Sequence, residues 1–218
     1  MITIVIIVIT SIISIRAFND NVLMSRIIFH PPAVKQGNWY RLLTYGVVHA
    51  DYTHLIFNMF TLYFFGTEIE RVFKVVFGQS QGSVLFILLY ISALLVSIIP
   101  TYFKHMDNAS YYGLGASGAV SAIIFAYVLI NPMNYMGILF IPIMLPAFLF
   151  GLLFILISIS LDKKQVGGIN HSAHITGGVY GIIYMMIVFY VLADTNLFNA
   201  FVSQIKINSI SDLFYLGF

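Results

Sequence analysis

The chain has 218 residues, of which 60% are hydrophobic and only 8% charged, with a mean hydropathy of +0.96. A soluble domain carries about 25% charged residues, so this composition excludes a water-covered globule and reads as an integral membrane protein. A net charge of +2 is too small and scattered for nucleic acid, and the absence of cysteine excludes a disulfide framework, a thiolate nucleophile and a Cys-ligated metal.

A spanning helix takes about 20 mostly apolar residues. The first runs from about Ile2 towards Ala17, with Arg16 near an interface. No basic segment precedes it and no A-x-A-like cleavage site follows, so it reads as a retained helix. A long connection over about 19–48 carries Pro31, Pro32 and Trp39-Tyr40-Arg41. That trio suits the headgroup region, which places the loop on or partly within the membrane surface, with Trp39 and Arg41 as interfacial anchors. The second helix begins near Asp51, a candidate N-cap three residues before His54, and runs through Gly66 towards Arg71. The third covers about 83–102. The fourth starts around Gly115 and ends near Asn131-Pro132. Proline is tolerated in a first helical turn and costly inside one, so Pro142 and Pro146 push the fifth helix to about 146–161. A polar loop over 162–170 leads to the sixth, at about 172–192. In the tail, Phe198, Phe201, Val202 and Ile205 have the spacing of an interfacial amphipathic helix, although a loosely ordered tail fits equally. The expected fold is all-α, a polytopic bundle of six transmembrane helices over 1–194 with a C-terminal tail over 195–218.

In such a bundle the second, fourth and sixth helices begin on the same side of the membrane, so their first turns meet at one depth. The second brings His54 and Asn58, four apart on one face, with His49 just upstream. The fourth brings Ser117 within Gly115-Ala116-Ser117-Gly118, where small residues admit close neighbours and a helix start leaves unpaired N–H groups. The sixth brings His174, followed by Gly177 and Gly181 as a smooth packing face. Polar side chains are costly in lipid and by default point to function. A serine hydroxyl needs a base to take its proton, and neutral histidine is the usual one. His174 fits that role. The Ser117 N–H, the His54 ring N–H and the Asn58 amide are candidate oxyanion donors. No acid falls at the shared depth within the helices, which favours a Ser–His dyad over a triad. Asp51 and Asp162 are the nearest acids by sequence, and capping or solvation accounts for both. A zinc protease would be expected to show H-E-x-x-H, which is lacking. A site built from His49, His54, His171 and His174 would leave Ser117 and Asn58 unexplained, so neither metal nor cofactor is expected.

With these pieces in this order the chain resembles the rhomboid family of intramembrane serine proteases. The resemblance is carried by Trp39-Tyr40-Arg41, the His49/His54/Asn58 set, Gly115-Ala116-Ser117-Gly118, and Ala173-His174 with Gly177 and Gly181, and covers about 1–194. It implies Ser117 as nucleophile, His174 as general base, and oxyanion stabilisation from His54 and Asn58. It also implies single-span membrane proteins as substrates, entering past the second and fifth helices, and an active site opening to the outer face of the plasma membrane. Two positions depart from the pattern. Ser121 stands where many members carry an aromatic packed on the histidine, and Phe125 where many carry glycine. The implied topology puts Arg16, Arg26, Lys35, Arg41, Lys104, Lys163 and Lys164 outside and only Arg71, Lys74 and Lys206 inside, against the positive-inside tendency. The competing readings are a catalytically silent module that binds client helices and a small transporter with a His-lined cavity.

Overall fold

The computed structural model describes residues 1–137, 142–164 and 170–216, which are mostly helical. Residues 165–169 of the expected polar loop and 217–218 of the tail lie outside the described residues.

Helix α1 (Ile2–Phe18) shows how an almost wholly apolar helix chooses its inner face. Hydrophobicity cannot discriminate, so size and hydrogen bonding do. Thr3, Thr10, Ser14 and Ala17 turn inward, while Val5, Ile9 and Ile12 stay exposed. The first connection folds into α2 (Asn21–Ile27), α3 (Pro31–Lys35), α4 (Arg41–Thr44) and a 3₁₀ turn, Tyr45–Val47. Side chains of its second half hold the last carbonyls of α2. Arg41 Nη1 donates to Ser25 O at 2.9 Å and Ile28 O at 2.7 Å, and Thr44 Oγ1 to Ile27 O at 2.8 Å.

Helix α5 (Tyr52–Thr61) opens as expected, with Asp51 accepting the His54 N–H at 2.7 Å. It passes without a break through a π-helical turn, Leu62–Gly66, into α6 (Thr67–Phe77). Near the far end, buried Glu70 accepts the N–H groups of Ile2 at 2.9 Å and Thr3 at 2.8 Å, and the Thr3 hydroxyl at 2.7 Å. The start of α1, whose first amides have no intrahelical acceptor, is thus capped by a carboxylate from another helix, itself paired with Lys74.

Helix α7 (Gln79–His105) and helix α10 (His171–Ala193) are, among the described residues, the two long and apolar enough to cross a bilayer unaided. Between them lies α8 (Ser117–Ile130), short and buried on nearly every face. Its neighbours reach it through missing side chains. A Cβ on Gly177 would fall 2.0 Å from Gly118 O, and one on Gly181 2.2 Å from Ala122 O, so two small residues a turn apart on each helix let the backbones touch. The expected smooth face of α10 is therefore the seam with α8.

The all-α expectation needs one correction. The segment punctuated by Pro142 and Pro146 forms β1 (Tyr135–Gly137) and β2 (Ile143–Pro146), an antiparallel pair ahead of α9 (Ala147–Lys164). Pro146 brings no N–H for a continuing helix, and α9 begins one residue later. The first amides of α9 instead meet carbonyls just beyond α8, Ala147 donating to Asn134 O at 2.8 Å and Phe148 to Pro132 O at 3.0 Å. The tail folds back. After α11 (Leu197–Gln204), which packs on α8, β3 (Tyr215–Leu216) adds to β2 as a third antiparallel strand.

Replacing Glu70 by alanine strands two backbone amides and a lysine in apolar surroundings. Glu70→Ala is expected to cost about 2–4 kcal/mol, seen as a lower thermal midpoint in detergent. Glu70→Gln, which keeps an acceptor oxygen, falls less. An alanine variant as stable as the unaltered protein would show that α1 is held by other contacts.

Candidate active site

Ser117 is the first residue of α8, so its N–H and those after it belong to a first turn without intrahelical acceptors. The loop leading to it hangs on the first connection by backbone bonds. Phe29 and Gly113 exchange both N–H···O bonds at 2.9 Å, and Gly115 N–H donates to Tyr45 O at 2.9 Å. The Tyr45 hydroxyl in turn donates to Leu94 O of α7 at 2.7 Å.

His49 adds the last bracket. Ser14 Oγ donates to Val47 O at 2.9 Å, so at 3.0 Å from His49 Nδ1 it acts as acceptor. Nδ1 then carries the proton, and Nε2 accepts the Ala116 N–H at 3.5 Å. Fully buried, His49 uses both ring nitrogens to tie α1 to the residue before Ser117. Nothing is left on it for a metal.

The tautomer of His54 follows from the same accounting. Ala50 N–H donates to Nδ1 in a long bond of 3.5 Å, which leaves the proton on Nε2. That edge lies over Gly115, where an added Cβ would stand 2.7 Å from His54 Cε1 and 2.9 Å from Nε2. Gly115 also has φ +101°, a left-handed conformation that favours glycine. One turn along α5, buried Asn58 donates one amide hydrogen to His54 O at 3.0 Å and keeps the other.

His174 is the fourth residue of α10. Its turn is fixed from two sides. Asn170 accepts the Ala173 N–H at 3.0 Å and donates to Thr101 Oγ1 of α7 at 2.8 Å, while Asp162 of α9 accepts the Ser172 N–H at 3.1 Å. Both acids near the histidines, Asp51 and Asp162, are thus helix-end acceptors. The seam between α8 and α10 places Gly118, next to Ser117, against Ala173, next to His174: a Cβ on Gly118 would lie 3.5 Å from Ala173 O. The same atom would lie 2.3 Å from Ser97 Oγ of α7. Among the described residues no hydrogen bond joins Ser117 Oγ to the His174 ring. Aromatic contacts frame that ring instead, His171 edge-on at 5.9 Å and Phe154 of α9 tilted at 6.1 Å.

The structure therefore gathers Ser117, Gly115, Gly118, His54 and His49 at one end of α8, with Asn58 a turn below His54. Gly177 and Gly181 hold His174's helix against them. Trp39 and Arg41 have other roles. Trp39 is 72% exposed, as an interfacial anchor would be, and Arg41 braces α2. Tyr45, Ser14 and Phe29 carry no chemical signature in sequence, because each acts through a backbone group or a partner far along the chain. A cavity of about 830 Å³ opens between the α5–α6 helix, the second half of α8, the β1–β2 pair and α9, walled by Phe57, Phe60, Phe64, Tyr127, Phe150 and Phe154.

Comparison with known proteins gives the family. A family model described as the Rhomboid domain matches residues 36–191. The chain is 32% identical over 178 residues to RHOMBOID-like protein 12, mitochondrial, of Arabidopsis thaliana, covering 77% of this chain and 52% of that protein. It is 29% identical over 172 residues to Rhomboid protease GlpG of Haemophilus influenzae, covering 77% and 78%. With Rhomboid protease AarA of Providencia stuartii it shares 26% over 196 residues, covering 83% and 66%. It thus spans about half the length of the Arabidopsis relative.

His49→Ala strips partners from Ser14 Oγ and the Ala116 N–H at once. The expected cost is about 2–3 kcal/mol, measured as a lower denaturation midpoint. An unchanged midpoint would mean that Tyr45 and Phe29 hold the loop without it.

Proposed function

The chain belongs to the rhomboid family, and on that premise we propose that it is an intramembrane serine endopeptidase working through a Ser117–His174 dyad. His174 takes the Ser117 proton as Oγ attacks a peptide carbonyl, then passes it to the leaving amine. Water enters to hydrolyse the acyl-enzyme, with His174 again as base. The tetrahedral oxyanion receives hydrogen bonds from the Ser117 N–H, the His54 Nε2–H and the free hydrogen of Asn58. The observation that carries the reading is the glycine seam of α8 on α10, which sets the neighbours of Ser117 and His174 in contact while the protonated edge of His54 overhangs Gly115. No metal or cofactor is required by this chemistry.

The family is membrane-embedded, and a belt of exposed Ile, Leu, Val and Phe on the outer helices suits lipid. In this reading six segments cross the bilayer: α1, the continuous α5–α6 helix, α7, α8, α9 and α10. They make a core over 1–194, with 195–218 as the tail. Substrates are transmembrane proteins whose segment enters the aromatic cavity between the α5–α6 helix and α9 and unwinds near Ser117. Helix-weakening residues favour the cut, since unwinding in lipid exposes backbone groups. Two relatives named rhomboid proteases are bacterial and the Arabidopsis one is mitochondrial. We place this chain in the plasma membrane with Ser117 facing the outer side. The charge count does not decide this: Lys35 is paired with Asp107, and Arg41 is committed to the carbonyls of α2.

The test is cleavage of a fluorogenic transmembrane peptide by protein in liposomes. Ser117→Ala and His174→Ala are expected to lose about 10³-fold or more, and His54→Ala or Asn58→Ala about 10- to 10³-fold in kcat. Cleavage untouched by Ser117→Ala would sink the mechanism. Unaltered protein that cuts nothing yet retains a client helix would point to a binding module.

A further inference from the structure

A dyad leaves open what orients its base. In a triad a carboxylate fixes the imidazole, but here Asp51 and Asp162 are occupied at helix ends, and the His174 ring has no hydrogen-bond partner among the described residues. Its orientation must then come from packing. Helix α8 offers no ring for the purpose, because the residue one turn after Ser117 is the small, buried Ser121. The histidine's own helix supplies His171 edge-on at 5.9 Å, and the ring from a different helix comes from α9. Phe154 lies 6.1 Å from His174 at an interplanar angle of 32°, within the range of favourable aromatic pairs.

Phe154 is itself held. Phe125 of α8 meets it edge-on at 5.9 Å and 61°. Phe125 sits between two glycines: an added Cβ on Gly178 of α10 would fall 2.7 Å from its ring, and one on Gly151 of α9 would fall 3.3 Å from it. Two glycines from facing helices make the slot for Phe125, and Phe125 backs Phe154. Phe154 also walls the cavity between the α5–α6 helix and α9.

Building on the protease reading above, we propose that Phe154 is the positioning residue of His174. Its ring packs on the imidazole and limits the orientations open to it. It does so from a helix that walls the entry cavity, so a segment lying in that cavity touches the ring that sets the base.

The experiment compares Phe154→Leu, which keeps bulk and loses the ring, with Phe154→Tyr, which keeps both. Each is read by cleavage kinetics, by labelling of Ser117 with a small fluorophosphonate, and by the ring signals of ¹³C-labelled His174. Phe154→Leu is expected to lower kcat and the labelling rate about tenfold, with KM within about twofold, and to move the His174 signals. Phe154→Tyr stays within about twofold of the unaltered protein in every readout. A Phe154→Leu protein that labels and cleaves at the full rate overturns the proposal, as do unmoved His174 signals. A Phe154→Tyr protein as impaired as Phe154→Leu also overturns it. Failure of the protease reading looks different: unaltered protein then labels no faster than Ser117→Ala, while the His174 signals still report whether the ring contact exists.

Discussion

The structure depends on one short helix. At 14 residues, α8 rises about 21 Å, against a hydrocarbon layer of about 30 Å. In the proposed reading, where α8 is one of the crossing segments, it cannot present polar ends to water on both faces, so one end stops inside. Its C-terminal end reaches the polar Asn131 and the small sheet, which in that reading makes Ser117 the submerged end. Submerged N–H groups need partners, and the neighbouring chain bends to supply them. Tyr45 O, His49 Nε2 and the Phe29 backbone reach the three residues Gly115, Ala116 and Gly113 in turn. In that reading the recessed position of Ser117 and the folding of the first connection follow from the same short helix.

Burying α8 on all sides also dictates the residues around it. Close approach of α10 is possible because Gly118 faces Gly177 and Ala122 faces Gly181, and any of these with a larger side chain would push His174 outward. Polar groups elsewhere are assigned as strictly. Glu70 caps α1, Asp51 caps α5, and Asp162 with Asn170 caps α10. With those groups committed to helix ends, what remains around the start of α8 is the Ser117 hydroxyl, the His174 ring, the protonated edge of His54 and one hydrogen of Asn58, together with His171, whose buried Nδ1 has no partner among the described residues and whose ring lies edge-on to His174. His49, by contrast, spends both ring nitrogens on structural contacts.

Much of this was legible before any coordinates, and for a physical reason. Polar residues in an apolar sequence are few and expensive, so His54, Asn58, Ser117 and His174 stand out, and His54, Ser117 and His174 do fall in the first turns of α5, α8 and α10. Asp51 as a cap was readable from its spacing alone. What stayed hidden is what apolar sequence does not encode locally. Phe154 is one of 20 phenylalanines, and nothing in its neighbours marks it as the one beside His174. Tyr45 works through its carbonyl, which every residue has. The sheet was missed because β1, β2 and β3 are two to four residues long and β3 pairs across about 70 positions, beyond any periodicity.

The two departures from the family pattern look like losses in sequence and like one exchange in space. A ring absent at position 121 is matched by a ring on α9, and the bulk at Phe125, where glycine is common, is what that second ring leans on. The slot for Phe125 is lined by Gly151 and Gly178, so the exchange involves five positions on three helices: 121 and 125, 151 and 154, and 178. Such an exchange places a ring on His174 from α9, beside the 830 Å³ cavity, in place of one from the central, buried α8. A base supported from α8 would keep its orientation whatever occupies the cavity. A base supported from α9 depends on where α9 stands, and α9 walls the cavity proposed above for the substrate segment.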